Sequence, residues 1–499
     1  MRLIVRLRII LAGIAATVMS LLPGVAIGAG AANAGAASAD AVIARAERAM
    51  GANQVRSLRF AGNGSGATVG QAFEPGKVWP KVSISTFSRA YDYVNAAMRE
   101  DSARSRAEPT GGGAVPLMGI GEQRQSGFVQ GKYAWNMINN NAVAAPVALE
   151  TRQHDLWTSP HGVLLAAKRN NASVRFTQEA GKSLALVSFT EPGVMSATVS
   201  VDDDAMVVRV ESSHPHPVTG DISVVTQYSD YRDHNGVKFP GRIRQSYGGF
   251  ASLDLEVKEV QINPSVEIAV TETVRNFAER VAAQQVAPGV WFLAGGSHNS
   301  VVIEMKDHLV VVEAPLYDGR TAAVLAEAKK LAPGKPIRTV INSHHHFDHA
   351  GGLRAAAAEG ASLLVTANAK SYFEKTLASP SRIKPDLLAK SGKKAKLIGY
   401  AGKTTLHDGS RTIEIHSIAD SVHSNGFTMV YLPAEKLLIE GDAYTPAAPG
   451  TPPPAKPNDN NVNLADNIER LKLTVERILP LHGSVVPLSH LYTAIGRKM

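Results

Sequence analysis

The sequence predicts two folded domains in tandem: an antiparallel β-rich (α+β) domain, then a layered α/β domain. Three observations lead there. At 499 residues the chain is too long for one ordinary hydrophobic core. Near residue 288 the pattern changes from short, partly alternating runs to strands and helices in turn. And in the second half several buried runs end in polar, histidine-containing segments. With 44% hydrophobic and 19% charged residues, the chain has a globular composition, which argues against disorder.

Residues 1–39 read as a signal peptide. Arg2, Arg6 and Arg8 form a basic start, 9–22 is an apolar run of secretory length, and small residues follow. A-x-A-like sites stand at Ala32-Asn33-Ala34 and Ala37-Ser38-Ala39. The run is short for a membrane span, so cleavage is preferred over an uncleaved anchor. The expected location is periplasmic or secreted, with no stable membrane anchor after cleavage.

Residues 40–270 read as the β-rich domain. Residues 40–50 have helical spacing, and extended segments are expected at 174–177, 184–189, 197–201, 206–210 and 222–228. Asn235-Gly236 before Val237-Lys238-Phe239 is a hairpin signal. His214-Pro215-His216 reads as exposed histidines in a proline-containing turn rather than a metal site. The stretch from Tyr228 to Pro240 weakly resembles the sheets of periplasmic lipoprotein carriers, which implies an open half-barrel able to cradle an apolar ligand.

Residues 271–287 are read as a linker, with a helix over 270–285. From 288 to 499, strands are expected at 301–303, 309–312, 337–341, 363–365 and 412–415, and a hairpin over 427–440. Helices are expected at 320–331, 352–359 and 464–478. The Pro- and Asn-rich 446–463 segment reads as a loop flanking the site or a surface insert.

Cysteine is absent, which excludes disulfides and thiolate ligands or nucleophiles. The net charge is +8; removing 1–39 takes away three arginines and leaves 49 basic against 44 acidic residues. No Lys/Arg cluster is interleaved with aromatics, so the excess reads as a solvated surface and no nucleic-acid partner is expected.

The chemistry is concentrated in Ser343-His344-His345-His346-Phe347-Asp348-His349, directly after the 337–341 strand. Alternate His344 and His346 face one way and suit one metal, whereas Asp348 and His349 reach a second; imidazole and carboxylate suit zinc-like cations. A histidine run alone is a weak signal. His423 precedes a glycine turn, and Asp442 and His482 each close an apolar run beside a glycine. Strand ends of this kind are where α/β sheets present ligands.

HxHxDH, then a histidine before a glycine turn, a Gly-Asp pair and Pro-x-His-Gly, resembles the metallo-β-lactamase superfamily over about 288–499. The resemblance implies an αββα sandwich with one metal on His344, His346 and His423. The other would sit on Asp348, His349 and His482, with Asp442 bridging. Two Zn2+ ions are expected, other divalent metals or iron being compatible with the ligands. Glu313 stands where the family often has Asp, and His345 is an extra imidazole that reads as packing rather than a ligand. Two cations about 3.5–4 Å apart would hold a bridging hydroxide as nucleophile, with Asp348 orienting it and carrying its proton. Tyr444 reads equally as a substrate contact or as packing.

The missing Cys ligand and the retained Asp442 point away from a β-lactamase and towards the ligand sets of glyoxalase II and acyl-homoserine lactonases. Export fits a glutathione thioester poorly, so an ester, lactone or amide bond of a small molecule is expected. Alternatives are phosphodiesterase or nuclease chemistry (with Lys370, Lys375 and Arg382 to Lys384 as a phosphate clamp), β-lactamase, and iron-dependent oxygenase. The non-enzyme alternative is a periplasmic lipid or ligand carrier.

Overall fold

A computed structural model describes residues 37–107, 121–448 and 450–498. The expected signal peptide lies almost wholly outside these residues. The first helix, Ala39–Ala49, starts where the Ser38 hydroxyl accepts from the Ala41 amide, an N-cap interaction. It buries Val42, Ile43 and Ala46. Residues Ser57–Ala144 and Ser173–Ile262 then form two antiparallel meanders, joined edge to edge where Ser57–Ala67 pairs with Phe250–Ile262. Among the described residues this sheet has 13 strands. Its apolar face closes over the first helix and the helix Gly162–Arg169, with Phe60, Phe239, Val163 and Leu164 in one core. The Asn235-Gly236 turn joins Gly220–His234 to Val237–Tyr247 with both turn residues at positive φ, as the sequence predicts.

Two further sheets follow. The seven-stranded one ends in four parallel-paired strands, Leu309–Val312, Ile337–Ile341, Ser362–Thr366 and Lys396–Tyr400. Alternate residues point to opposite faces. Val310, Val312 and Ile341 meet Ile415, Val430, Ile439 and Leu479 of the six-stranded sheet. Val311, Val340 and Leu363 meet Val324, Ala356 and Phe373 from three helices. On its other side the six-stranded sheet packs Met429, Leu438 and Ile478 against Leu464, Ile468 and Leu491. From Ser38 onward the chain forms one compact unit.

Three expectations are corrected. The helix over 270–285 is reduced to Glu272–Arg275, and Ala282–Ala287 is instead the edge strand of the seven-stranded sheet. The helix expected at 464–478 is Asp459–Arg470, so the last residues of the 446–463 loop are helical and Arg477–Pro480 is a strand. His214 is not in an exposed turn: it is buried in the strand Val207–His216, with Nε2 2.7 Å from the Tyr247 hydroxyl.

Candidate metal centre

The site gathers at the C-terminal ends of strands, where the chain leaves the sheets. Ile337–Ile341 delivers residues 344–349, Leu437–Glu440 delivers Asp442, and Arg477–Pro480 delivers His482. His423 arrives on the connection after Thr412–Ser417. Gly426, at φ +89°, turns that connection back; a Cβ there would meet Asn368 at 2.4 Å.

All seven residues singled out as ligands come together. His344, His346, His423 and Asp442 offer donor atoms within 4.8 Å of one another. Asp348, His349, His482 and also His298 form a second such group. Asp442 stands between them: His423 Nε2 lies 3.0 Å from Oδ2, and the Nε2 atoms of His349 and His482 each lie 2.9 Å from Oδ1. Both Asp442 oxygens are buried, and the polar atoms beside them are imidazole nitrogens.

Outer contacts fix which ring nitrogen faces inward. His482 Nδ1–H donates to the Ser297 carbonyl at 2.8 Å, and His349 Nδ1–H donates to Glu313 at 2.9 Å. His346 Nε2–H donates to the Ala72 carbonyl at 3.0 Å. Ser343 donates its hydroxyl to Glu313 and so receives His344 Nδ1–H at 3.0 Å. In the neutral rings bare nitrogens then face one another, His344 Nε2 and His346 Nδ1 at 2.8 Å, His349 Nε2 and His482 Nε2 at 3.2 Å. Against the effect of burial, the Asp442 and Asp348 carboxylates raise His349 above the usual histidine range and so favour positive charge at this point. Imidazole nitrogens and a carboxylate converging this closely concentrate lone pairs at one point, and the donor set fits divalent metal. Burial, reinforced by neighbouring imidazoles, holds His344 and His346 well below the usual histidine range, in the neutral form a metal requires.

Other residues fall out of the centre. His345 is buried outside both groups, its Nδ1 3.3 Å from the Ser424 hydroxyl, as packing predicts. Tyr444 is 1% exposed within the core under the six-stranded sheet, and its hydroxyl bonds to His490. A third group, Asp307, His308 and Asp408, is taken up by Arg338 and by the amides of Lys306, Ser410 and Arg411.

Sequence reasoning missed two residues. His298 follows the strand Val290–Ala294 much as the ligands follow theirs, and its Nε2 lies 3.3 Å from Asp348 Oδ2. That placement was a usable signal. Gln71, whose Nε2 donates to Asp348 Oδ1 at 2.9 Å, carries no local signal at all.

Residues 293–490 match the family model of the Metallo-beta-lactamase superfamily. The C-terminal region is therefore a metallo-beta-lactamase domain, preceded by a β-rich region with a large antiparallel sheet. Solved structures similar to the chain include a metallo-beta-lactamase from Pontibacter korlensis (16% identity, covering 44% of this chain and 98% of that one, TM-score 0.34). Others are the metallo-beta-lactamase FIM-1 from Pseudomonas aeruginosa (19%, 43% and 93%, TM-score 0.33) and a metallo-beta-lactamase from Hirschia baltica (20%, 44% and 99%, TM-score 0.32). No curated protein matches the chain.

Proposed function

From the metallo-beta-lactamase domain at 293–490, we propose that this chain is a hydrolase holding two divalent cations, zinc by preference, in an αββα sandwich. The observation that carries this reading is Asp442, whose two oxygens face two different groups of donors. The retained bridging carboxylate and the absence of cysteine favour an ester, lactone or amide bond of a small molecule over a β-lactam. Bound cations would polarise the scissile carbonyl and make water acidic enough to attack near neutral pH.

The chain's own groups do the rest. His344, His346 and His423 hold one side of the centre, and His349 and His482 the other, with Asp442 between. Asp348 is oriented by Gln71 on Oδ1 and His298 near Oδ2. Its side chain is 18% exposed and that of His482 14%, while the other proposed ligands are almost fully buried. Substrate therefore approaches along the Asp348–His482 edge, where the Asp348 carboxylate takes a proton from the attacking water and returns it to the leaving group.

We also propose export, on the basic, apolar and small-residue pattern of 1–39. Among the described residues no helix is long and apolar enough to cross a membrane.

Metal analysis of purified protein tests the reading. About two divalent ions per chain are expected, with Asp442→Ala losing at least one of them and about 100-fold or more of activity. Substoichiometric metal untouched by that substitution would reject it. Lactones, aryl esters, amides, β-lactams and phosphodiesters assayed side by side then identify the bond cleaved.

A further inference from the structure

The loop 68–80 joins the strands Ser57–Ala67 and Lys81–Asp92 of the N-terminal sheet, yet it reaches the metal centre of the other domain. Five consecutive residues make the contact. The Gly70 carbonyl accepts from the Phe347 amide at 3.3 Å, and the Ala72 carbonyl takes His346 Nε2–H. The Phe73 carbonyl accepts from the Asn425 amide at 2.8 Å, and the Glu74 carboxylate accepts from Asn425 Nδ2 at 2.8 and 2.9 Å. Between them Gln71 donates to Asp348. One short segment thus grips residues 346–348 and the turn that carries His423.

The approach is close enough to require glycine. Gly70 sits at φ +82°, and a Cβ on it would come within 2.4 Å of the Phe347 ring.

We propose that Gln71 is a positioning residue of the metal centre, so that the N-terminal domain completes the catalytic site of the C-terminal one. This rests on the two-cation reading above. Gln71 is 5% exposed, and of its side-chain amide the Nε2 is used; among the described residues the buried Oε1 has no partner. Leaving an amide oxygen dry is unfavourable, so stability alone would favour an apolar residue of the same shape. What the glutamine contributes is the donor. With Gln71 on one oxygen and His298 beside the other, the Asp348 carboxylate is fixed in rotation about its last bond. The same loop covers the His346 side, leaving the Asp348–His482 edge open.

Gln71→Met tests this, because it keeps the length and packing and removes the donor. In the full chain, chelator competition should show one cation bound about 10–100-fold more weakly than in the parent. The visible bands of the cobalt-loaded protein should shift, reporting altered ligand geometry. The metal-free variant should melt at the parent temperature or above it. Gln71→Asn, one methylene short of Asp348, should weaken the cation in the same way. Unchanged affinity and unchanged cobalt bands in both variants would make Gln71 a packing residue and overturn the inference. A parent protein that binds no stoichiometric cation would instead reject the two-cation reading itself.

Discussion

Glu313 holds φ at +76°, a left-handed conformation that costs a non-glycine residue of order 1–3 kcal/mol. The surroundings show what the strain secures. Its buried carboxylate accepts from Asn342 Nδ2 at 3.0 Å, from Ser343 and from His349 Nδ1. One residue therefore orients His349 directly and His344 through Ser343. The sequence marks Glu313 as a departure from the family's aspartate, but its reach to two histidines depends on a backbone angle that no motif encodes. Glu313→Gln places an amide where donors converge, so His349 loses its anionic acceptor and becomes a weaker ligand. We expect cation affinity to fall about 10–100-fold with little change in fold. Chelator competition checks it, and parent-like affinity would show that the carboxylate charge is not needed.

At the scale of elements, legibility followed locality. The strand-to-histidine run 337–349 and the Asn235-Gly236 hairpin were readable because spacing and turn chemistry act over a few residues. Among the described residues, the six strands between Ser57 and Ala144 carry no such local signal. Ser57–Ala67 is rich in glycine, and Ala97–Arg106 carries charge on both of its faces, so neither shows the alternation that marks a strand. Those glycines have a structural cause: a Cβ on Gly62 would lie 2.1 Å from the Glu256 carbonyl of the paired strand. Gly62→Ala must push the two meanders apart at their junction. We expect a loss of about 1–3 kcal/mol in denaturant unfolding. Since the 68–80 loop leaves the same strand, cation affinity should weaken as well. An alanine variant with parent stability would mean that the strands part there without cost. The contact of Gln71 with Asp348 spans 277 residues and belongs to the fold rather than to any local pattern.

Considered as a whole, the molecule couples a β-rich N-terminal half to the metal-binding half through the 68–80 loop, through Asp221, which accepts from the Arg382 amide at 2.8 Å, and through Lys384 paired with Glu150, so loosening the first half disturbs the second. That first half has an acid-sensitive interior. Burial holds His161 down to about 4 and His216 to about 3, and pushes His214 in the same direction. His161 lies under Phe239, with its Nε2 3.4 Å from the Met50 carbonyl and its Nδ1 without a partner. In the unfolded chain each of these histidines takes a proton near 6.5. Between that value and the lowered folded one, the unfolded state binds more protons, so stability falls as pH falls. The slope is about 1.4 kcal/mol per pH unit for each histidine fully inside its window. Asp155 adds to the loss further down: although burial opposes its charge, Arg89 and His154 hold it at about 2, so its contribution disappears as pH drops from near 3.8. His161→Leu removes one proton site without opening a polar void. Between pH 6 and 4.5 its unfolding free energy should depend on pH less steeply than the parent's, by up to about 1.4 kcal/mol per unit. Denaturant titrations at fixed metal saturation measure both slopes, and parallel lines would show that His161 does not titrate differently on unfolding. If the loop transmits the loosening, cation retention at pH 5 should also be higher in His161→Leu than in the parent, although residue 161 touches none of the proposed ligands.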